Sequence, residues 1–130
     1  MLESEVIEHV VEIDGEFATV KAASRDLLLL QKAECFMLRK PMKARDAFDI
    51  YRLRRSGVVL SQNLESHLED TLMGDQLDAT DIDERIAQVD EKRCSSELRS
   101  RLPPDVFESL AKEKFEPLRH ALQDLYRRWL

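Results

Sequence analysis

The sequence predicts an α+β fold that is mostly α, with an N-terminal β-hairpin followed by five or six helices. Two β-rich runs flank Asp14-Gly15, a dipeptide typical of tight hairpin turns. The remainder of the chain carries apolar residues at helical spacing. Only three glycines and four prolines occur in 130 residues, and 35% of the residues are charged, which favours helices over a loop-rich β fold.

The hairpin is predicted over residues 6–13 and 17–22. The first run is rich in valine and isoleucine, and the second contains phenylalanine, threonine and valine, all of which favour strands. Because an isolated two-stranded hairpin is barely stable in water, we expect it to lie on the helices or to pair with another strand.

Two helices are predicted next, and the second is expected to fold back on the first. Ser24 suits the N-cap of a helix that runs to about Arg39. The second helix covers residues 44–56, with Gly57 just beyond its end. Residues 40–43 form a short connector, so the two helices should make an antiparallel helical hairpin.

The rest of the chain is expected to supply the remaining helices. They are predicted over residues 61–73, from Thr80 to about Arg101, over residues 105–112, and from residue 115 or 116 to residue 130. Thr80 and Asp83 resemble a capping box at the start of the second of these. Trp129 is expected to dock on the core. We therefore expect one domain over residues 1–130, made of the hairpin (1–23), a helical hairpin (24–56) and a helical region (57–130).

Composition excludes several classes of protein. The net charge of −6 argues against general DNA binding, although it permits a local anion site. No apolar run approaches the roughly 20 residues of a membrane span, so we expect no membrane association. Cys35 and Cys94 lie far apart in helical patterns, as expected for reduced thiols of a cytoplasmic protein.

A basic segment with two acids carries the strongest chemical signal. Seven lysines and arginines lie between Arg39 and Arg55, together with only two carboxylates, Asp46 and Asp49. Helical spacing and a folded-back second helix would bring Lys32 toward these acids, inside a ring of guanidinium groups. Such an arrangement suits a triphosphate. Alternatively, the same residues form ordinary helix-surface ion pairs, each contributing a few tenths of a kcal/mol.

The segment ASRDLLLLQKAECFMLRKPMKARDAFDIYRL resembles the later part of the AbiEii/AbiGii toxin family, nucleotidyltransferase-like proteins of abortive-infection and type IV toxin–antitoxin systems. Proteins of that family show a strand, a helix of the form L-x-x-K-x-x-A-x-x-x-R, a basic loop and R-D-x-x-D-x-x-x-L. The matching positions here are Lys32, Arg39, Arg45, Asp46, Asp49 and Leu53, with Cys35 in place of the alanine. The resemblance covers about residues 17–55.

This resemblance implies the later half of a polymerase-β-type nucleotidyltransferase fold and a nucleotide site. It implies that Lys32 binds the nucleotide phosphates, while Asp46 or Asp49 holds the lysine or a ribose hydroxyl. Arg39 and Arg45 are expected to add phosphate contacts.

The family's metal-binding half is not matched. That half begins with Gly-Ser followed by paired carboxylates on a strand, whereas the three glycines here precede Glu, Val and Asp. The one D-x-D, Asp81-Ile-Asp83, is interpreted as helix-cap chemistry. We therefore expect no nucleotide transfer and no cofactor in this chain alone, and Mg²⁺ with a nucleoside triphosphate if a missing half completes the site.

The same features predict partners. A strand over residues 17–22 with an unpaired edge invites pairing with a second copy or with the missing N-terminal half. A non-catalytic helical module that binds a nucleotide, RNA or a protein remains the alternative function, and a helical scaffold whose basic patch has no ligand is the third.

Overall fold

The structure, a computed structural model, describes residues 6–13 and 16–130, and for residues 6–13 and 16–23 it describes the backbone alone. That backbone forms strands β1 (Val6–Ile13) and β2 (Glu16–Ala23), paired antiparallel. The predicted Asp14-Gly15 turn lies outside the described residues.

The body of the protein, residues 24–130, is all helical and contains no strand or sheet. Its elements are α1 (Arg25–Leu38), α2 (Ala44–Arg55), α3 (Gln62–Gly74), α4 (Ala79–Ala87), α5 (Glu91–Leu98), α6 (Pro104–Lys112), α7 (Glu116–Leu125) and a 3-10 turn (Arg127–Trp129). The predicted α+β class with an N-terminal β-hairpin is therefore wrong for this body, which has seven helices rather than five or six. One hydrophobic core joins these helices from Leu27 to Tyr126, because their apolar faces cover one another without a sheet.

Local sequence signals set three ends of the first three helices, and two of these signals, Ser24 and Gly57, were predicted. The hydroxyl of Ser24 accepts a hydrogen bond from the Leu27 amide at 3.2 Å, and Ser61 does the same for Leu64 at 3.3 Å. Gly57 has a φ of +88°, a left-handed conformation that stops α2 and that glycine adopts without steric cost. These caps explain where α1 and α3 start and where α2 ends.

The middle of the chain differs from the prediction. Helix α4 is capped by Asp78 and Asp81, whose side chains each accept a hydrogen bond from the other's amide at 2.9 Å, so the predicted Thr80–Asp83 capping box is wrong. The helix predicted to reach Arg101 breaks before Asp90. The Asp90 carboxylate accepts from the Arg93 amide at 2.8 Å and starts α5, which adds the extra helix.

Tyr126 joins the C-terminal end to the centre of the core. Its side chain is fully buried, and its hydroxyl donates a hydrogen bond to the Ala33 carbonyl of α1 at 2.6 Å. Burial raises the pKa of this phenol well above its usual value. Trp129, expected to dock on the core, is half-buried at its rim and donates to the Glu69 carboxylate at 3.4 Å. Tyr126 is therefore the main C-terminal anchor.

Cys94 on α5 predicts a pH dependence of stability. Its side chain is fully buried, and burial raises the pKa of the thiol to about 12. A thiol in the unfolded chain titrates near pH 8.5, so above that pH the unfolded state loses a proton that the folded state keeps, and stability falls as pH rises. We expect the unfolding free energy from urea titrations to drop by about 2 kcal/mol between roughly pH 8 and pH 10.

The matched control is Cys94→Ala, which removes the titrating thiol. Its unfolding free energy should change much less over the same pH range, with a remainder from Tyr126, whose raised pKa acts in the same direction. An equally steep pH dependence in Cys94→Ala would show that the thiol is not its source.

Candidate functional site

Helices α1 and α2 bring the three predicted catalytic residues together. The Lys32 ammonium of α1 lies 2.9 Å from Asp49 Oδ2 and 3.8 Å from Asp46 Oδ1, both on α2. The guanidinium of Arg39 approaches Asp46 Oδ2 from the other side, at 3.4 Å. We call Lys32, Arg39, Asp46 and Asp49 the Lys32 cluster. Its geometry agrees with the face-to-face arrangement expected from helical spacing.

Asp46 lies at the bottom of this cluster. It is 0% exposed and is the only charged side chain in residues 24–130 that is fully buried. Neither of its carboxylate oxygens makes a hydrogen bond to another described residue, so its partners are the two cations. The side chains of Lys32 and Arg39 are 30% and 35% exposed. A buried carboxylate is costly unless it is paired, and here both partners reach it from the surface.

Residues far along the chain fix the connector between α1 and α2. The Arg85 guanidinium donates to the carbonyls of Met37 and Arg39 at 2.8 and 2.9 Å, at the C-terminal end of α1. The Glu97 carboxylate accepts from the Ala44 amide at 2.9 Å, at the N-terminal end of α2. Both contacts satisfy backbone groups that a helix leaves unpaired at its ends. They therefore help to hold α2 in the orientation that places its acids against Lys32.

A small cavity of about 250 Å³ opens beside the Lys32 ammonium. Its walls are Arg25, Leu28, Lys32, Asp49, Arg52, Leu53 and Ser56. Three cations and one carboxylate line it, and ammonium and guanidinium groups bind phosphate oxygens. Ligand pockets usually enclose about 300–1,000 Å³, so this small cavity suits a phosphate group rather than a whole nucleotide.

The two arginines predicted to bind phosphate do not lie on that cavity. Arg39 contacts Asp46 on the other side of the carboxylate. Arg45 lies instead on a larger groove of about 730 Å³ between α2 and the corner where α5 leads into α6. We call this the arginine groove. The structure thus brings Lys32, Asp46 and Asp49 together but separates Arg39 from Arg45.

The sequence did not predict three residues of the small cavity wall, Arg25, Arg52 and Ser56. Arg25 precedes Lys32 by seven residues and therefore lies on the same face of α1. Arg52 follows Asp49 by three residues on α2. Spacing alone could have found these two, whereas Ser56 follows the last helical residue of α2 and has no such signal.

No group of three or more His, Cys, Asp or Glu side chains in the part of the chain that the structure describes could hold a metal ion. Of the D-x-D motif, Asp81 is engaged in the capping box with Asp78. The hydrogen bond from the Asp81 amide lowers the pKa of the Asp78 carboxyl group. This use of Asp81 agrees with helix-cap chemistry rather than with a metal pair.

Fold and site together define an all-α body with a charged cluster beside a phosphate-sized cavity. Comparison of the chain with protein-family models, with curated proteins and with solved structures gave no match. None of the described helices combines the length and apolar character needed to cross a membrane. The chemistry of the site and the sequence motif are therefore the basis for the functional proposal.

Proposed function

We propose that the chain is the C-terminal portion of a nucleotidyltransferase-like protein of the AbiEii/AbiGii type, and that its small cavity binds the phosphates of a nucleotide. One observation carries this proposal: the Lys32 ammonium contacts Asp49 at 2.9 Å and also lines a cavity with two further cations. The order of Lys32, Asp46 and Asp49 in the sequence supports the same assignment.

Each residue has a distinct role in this proposal. Lys32, Arg25 and Arg52 contact phosphate oxygens. The Ser56 hydroxyl donates to the Arg52 carbonyl at 3.0 Å and only lines the cavity wall. Asp49 orients the Lys32 ammonium. Asp46 lies beneath it and holds Lys32 and Arg39 through ion pairs. Since the small cavity takes only phosphate, the sugar and the base of the nucleotide would lie outside it.

We infer binding without catalysis for this chain alone. Nucleotidyl transfer needs carboxylates that hold a divalent metal at the reacting phosphate, and the sequence has no Gly-Ser with paired carboxylates after it. A missing N-terminal half or a second chain would have to supply them, together with Mg²⁺ bound to the triphosphate. In this proposal Lys32 and its neighbours contribute one side of a shared site.

Calorimetric titration with ATP and with GTP, with and without Mg²⁺, tests the nucleotide site. We expect the wild-type chain to bind and Lys32→Ala to bind at least about tenfold more weakly, because a charge-assisted hydrogen bond contributes about 1.5–3 kcal/mol. Arg52→Gln should also weaken binding, because it removes a second cation from the cavity wall.

The matched control is Lys43→Ala, which removes an exposed ammonium that does not line the small cavity. It should bind like the wild type, and circular dichroism should show that each variant stays folded. Equal affinity in the wild type and Lys32→Ala, or no binding to either nucleotide, would contradict the proposal.

A further inference from the structure

We propose that the arginine groove binds an acidic segment of a partner protein, one in which aliphatic side chains alternate with carboxylates. The groove encloses about 730 Å³, within the usual range of ligand-binding pockets and nearly three times the volume of the small cavity. It lies along α2 and is closed on the other side by the α5–α6 corner. It therefore has room for several side chains of a bound segment.

The arginine groove carries four guanidinium groups. Arg45, Arg52, Arg55 and Arg101 line the groove, and among the described residues none of the four has a carboxylate oxygen within 4.0 Å. By contrast, Arg54 of the same helix pairs with Asp124. Two carboxylates, Asp49 and Asp105, also line the groove, so the four arginines leave it with a net positive charge. On this concave surface the guanidinium groups would bind carboxylates of a partner.

The floor of the groove selects for aliphatic side chains. Leu98 and Leu110 are buried there, and Leu102 and Val106 are half-buried and remain accessible. Apolar contacts of this kind supply affinity, while the arginines at the rim supply specificity. A segment with alternating carboxylates and aliphatic side chains would contact both the arginines at the rim and the apolar floor.

The aromatic rings in the groove favour a peptide over single-stranded nucleic acid. The Arg52 guanidinium lies 5.9 Å from the centre of the Phe48 ring, and the Arg55 guanidinium lies at the same distance from Tyr51. Arg55 also donates to the Tyr51 hydroxyl at 2.6 Å. Bases bind single-strand sites by stacking on aromatic faces, and these rings already interact with guanidinium groups of the chain. The net charge of −6 further disfavours a long polyanion.

Selection from a display library of random peptides of about 12 residues, with the whole chain as the target, tests this proposal. We expect the enriched peptides to alternate Asp or Glu with Leu, Ile or Val. Labelled with fluorescein, they should bind the wild type and lose at least about tenfold in affinity with Arg101→Glu. Arg101→Lys should keep most of the affinity, since it keeps the charge.

Arg101 is the best position because it is exposed, lies outside the helices and does not line the small cavity. Failure of this test therefore leaves the nucleotide proposal standing. Lys92→Glu reverses an exposed charge of α5 outside the arginine groove and should bind the peptides like the wild type.

Three results would overturn the peptide assignment. They are the recovery of no peptide, the recovery of peptides without acidic residues, and equal affinity of the peptides for the wild type and Arg101→Glu. Oligouridine of matched length serves as the nucleic-acid competitor. The groove is a nucleic-acid site instead if two results are found together. Oligouridine would have to bind the wild type more tightly than Arg101→Glu, and it would have to displace the selected peptides at a concentration below their own dissociation constant.

Discussion

Replacing both cations beside Asp46, with Lys32→Met and Arg39→Met together, should lower the free energy of unfolding by roughly 3 kcal/mol. Asp46 is 0% exposed, and its ion-pair partners among the described residues are these two side chains. Their removal would leave a carboxylate buried without compensation. Breaking a buried pair costs about 3–5 kcal/mol, and we expect the lower end because the cations are partly exposed.

A third substitution separates ion pairing from packing. Adding Asp46→Leu removes the buried charge itself, so the triple variant should recover to within about 1 kcal/mol of the wild type. Arg45→Met, which changes an exposed arginine without a close described carboxylate, should stay within about 0.5 kcal/mol. Urea unfolding followed by circular dichroism measures all of these. A double variant as stable as the wild type would show that Lys32 and Arg39 do not compensate Asp46.

Tyr126→Ala should be similarly destabilising, by about 3–5 kcal/mol, because it empties a fully buried aromatic site in the core. The ring packs near Phe36, with 6.2 Å between ring centres, and its hydroxyl binds the Ala33 carbonyl. Tyr126→Phe keeps the ring and removes the hydrogen bond, so it should cost only about 1 kcal/mol.

The comparison for Tyr126 is Trp129, three residues further along the chain. Trp129→Ala removes a half-buried ring at the rim of the core, and it should cost clearly less than Tyr126→Ala in the same denaturant titration. If Trp129→Ala were the more damaging substitution, Trp129 rather than Tyr126 would be the main anchor of the C-terminal end.

Local sequence signals were sufficient to predict ends of the first helices, but they were not sufficient to predict the fold class. Ser24 and Gly57 act through local geometry within a few residues, so their roles could be predicted from the sequence. The break before Asp90 could not, because buried Val89 continues the apolar stripe of α4 and conceals the end of that helix. The β-rich pattern near the N-terminus does not predict whether strands form part of the body of the protein, residues 24–130, which is helical.

The candidate site was predictable only in part, because contacts between residues far apart in the sequence also shape it. Helical spacing placed Lys32 opposite Asp46 and Asp49, and the distances in the structure agree. It did not fix the rotation of α2 about α1, which decides whether Arg45 or Arg52 lies beside Lys32. The connector between α1 and α2 is held by hydrogen bonds from Arg85 and Glu97, which lie some fifty positions further along the chain. A local sequence pattern cannot predict such contacts.

In the proposed nucleotide site, Asp46 and Asp49 hold the Lys32 ammonium and present it to a phosphate. Side-chain nitrogen NMR of the lysine ammonium groups, during titration with a nucleoside triphosphate, measures this directly. The Lys32 signal, assigned by its loss in Lys32→Ala, should shift strongly while that of exposed Lys43 stays in place. A Lys32 signal unchanged at saturating nucleotide, or equal shifts of all lysines, would contradict the claim.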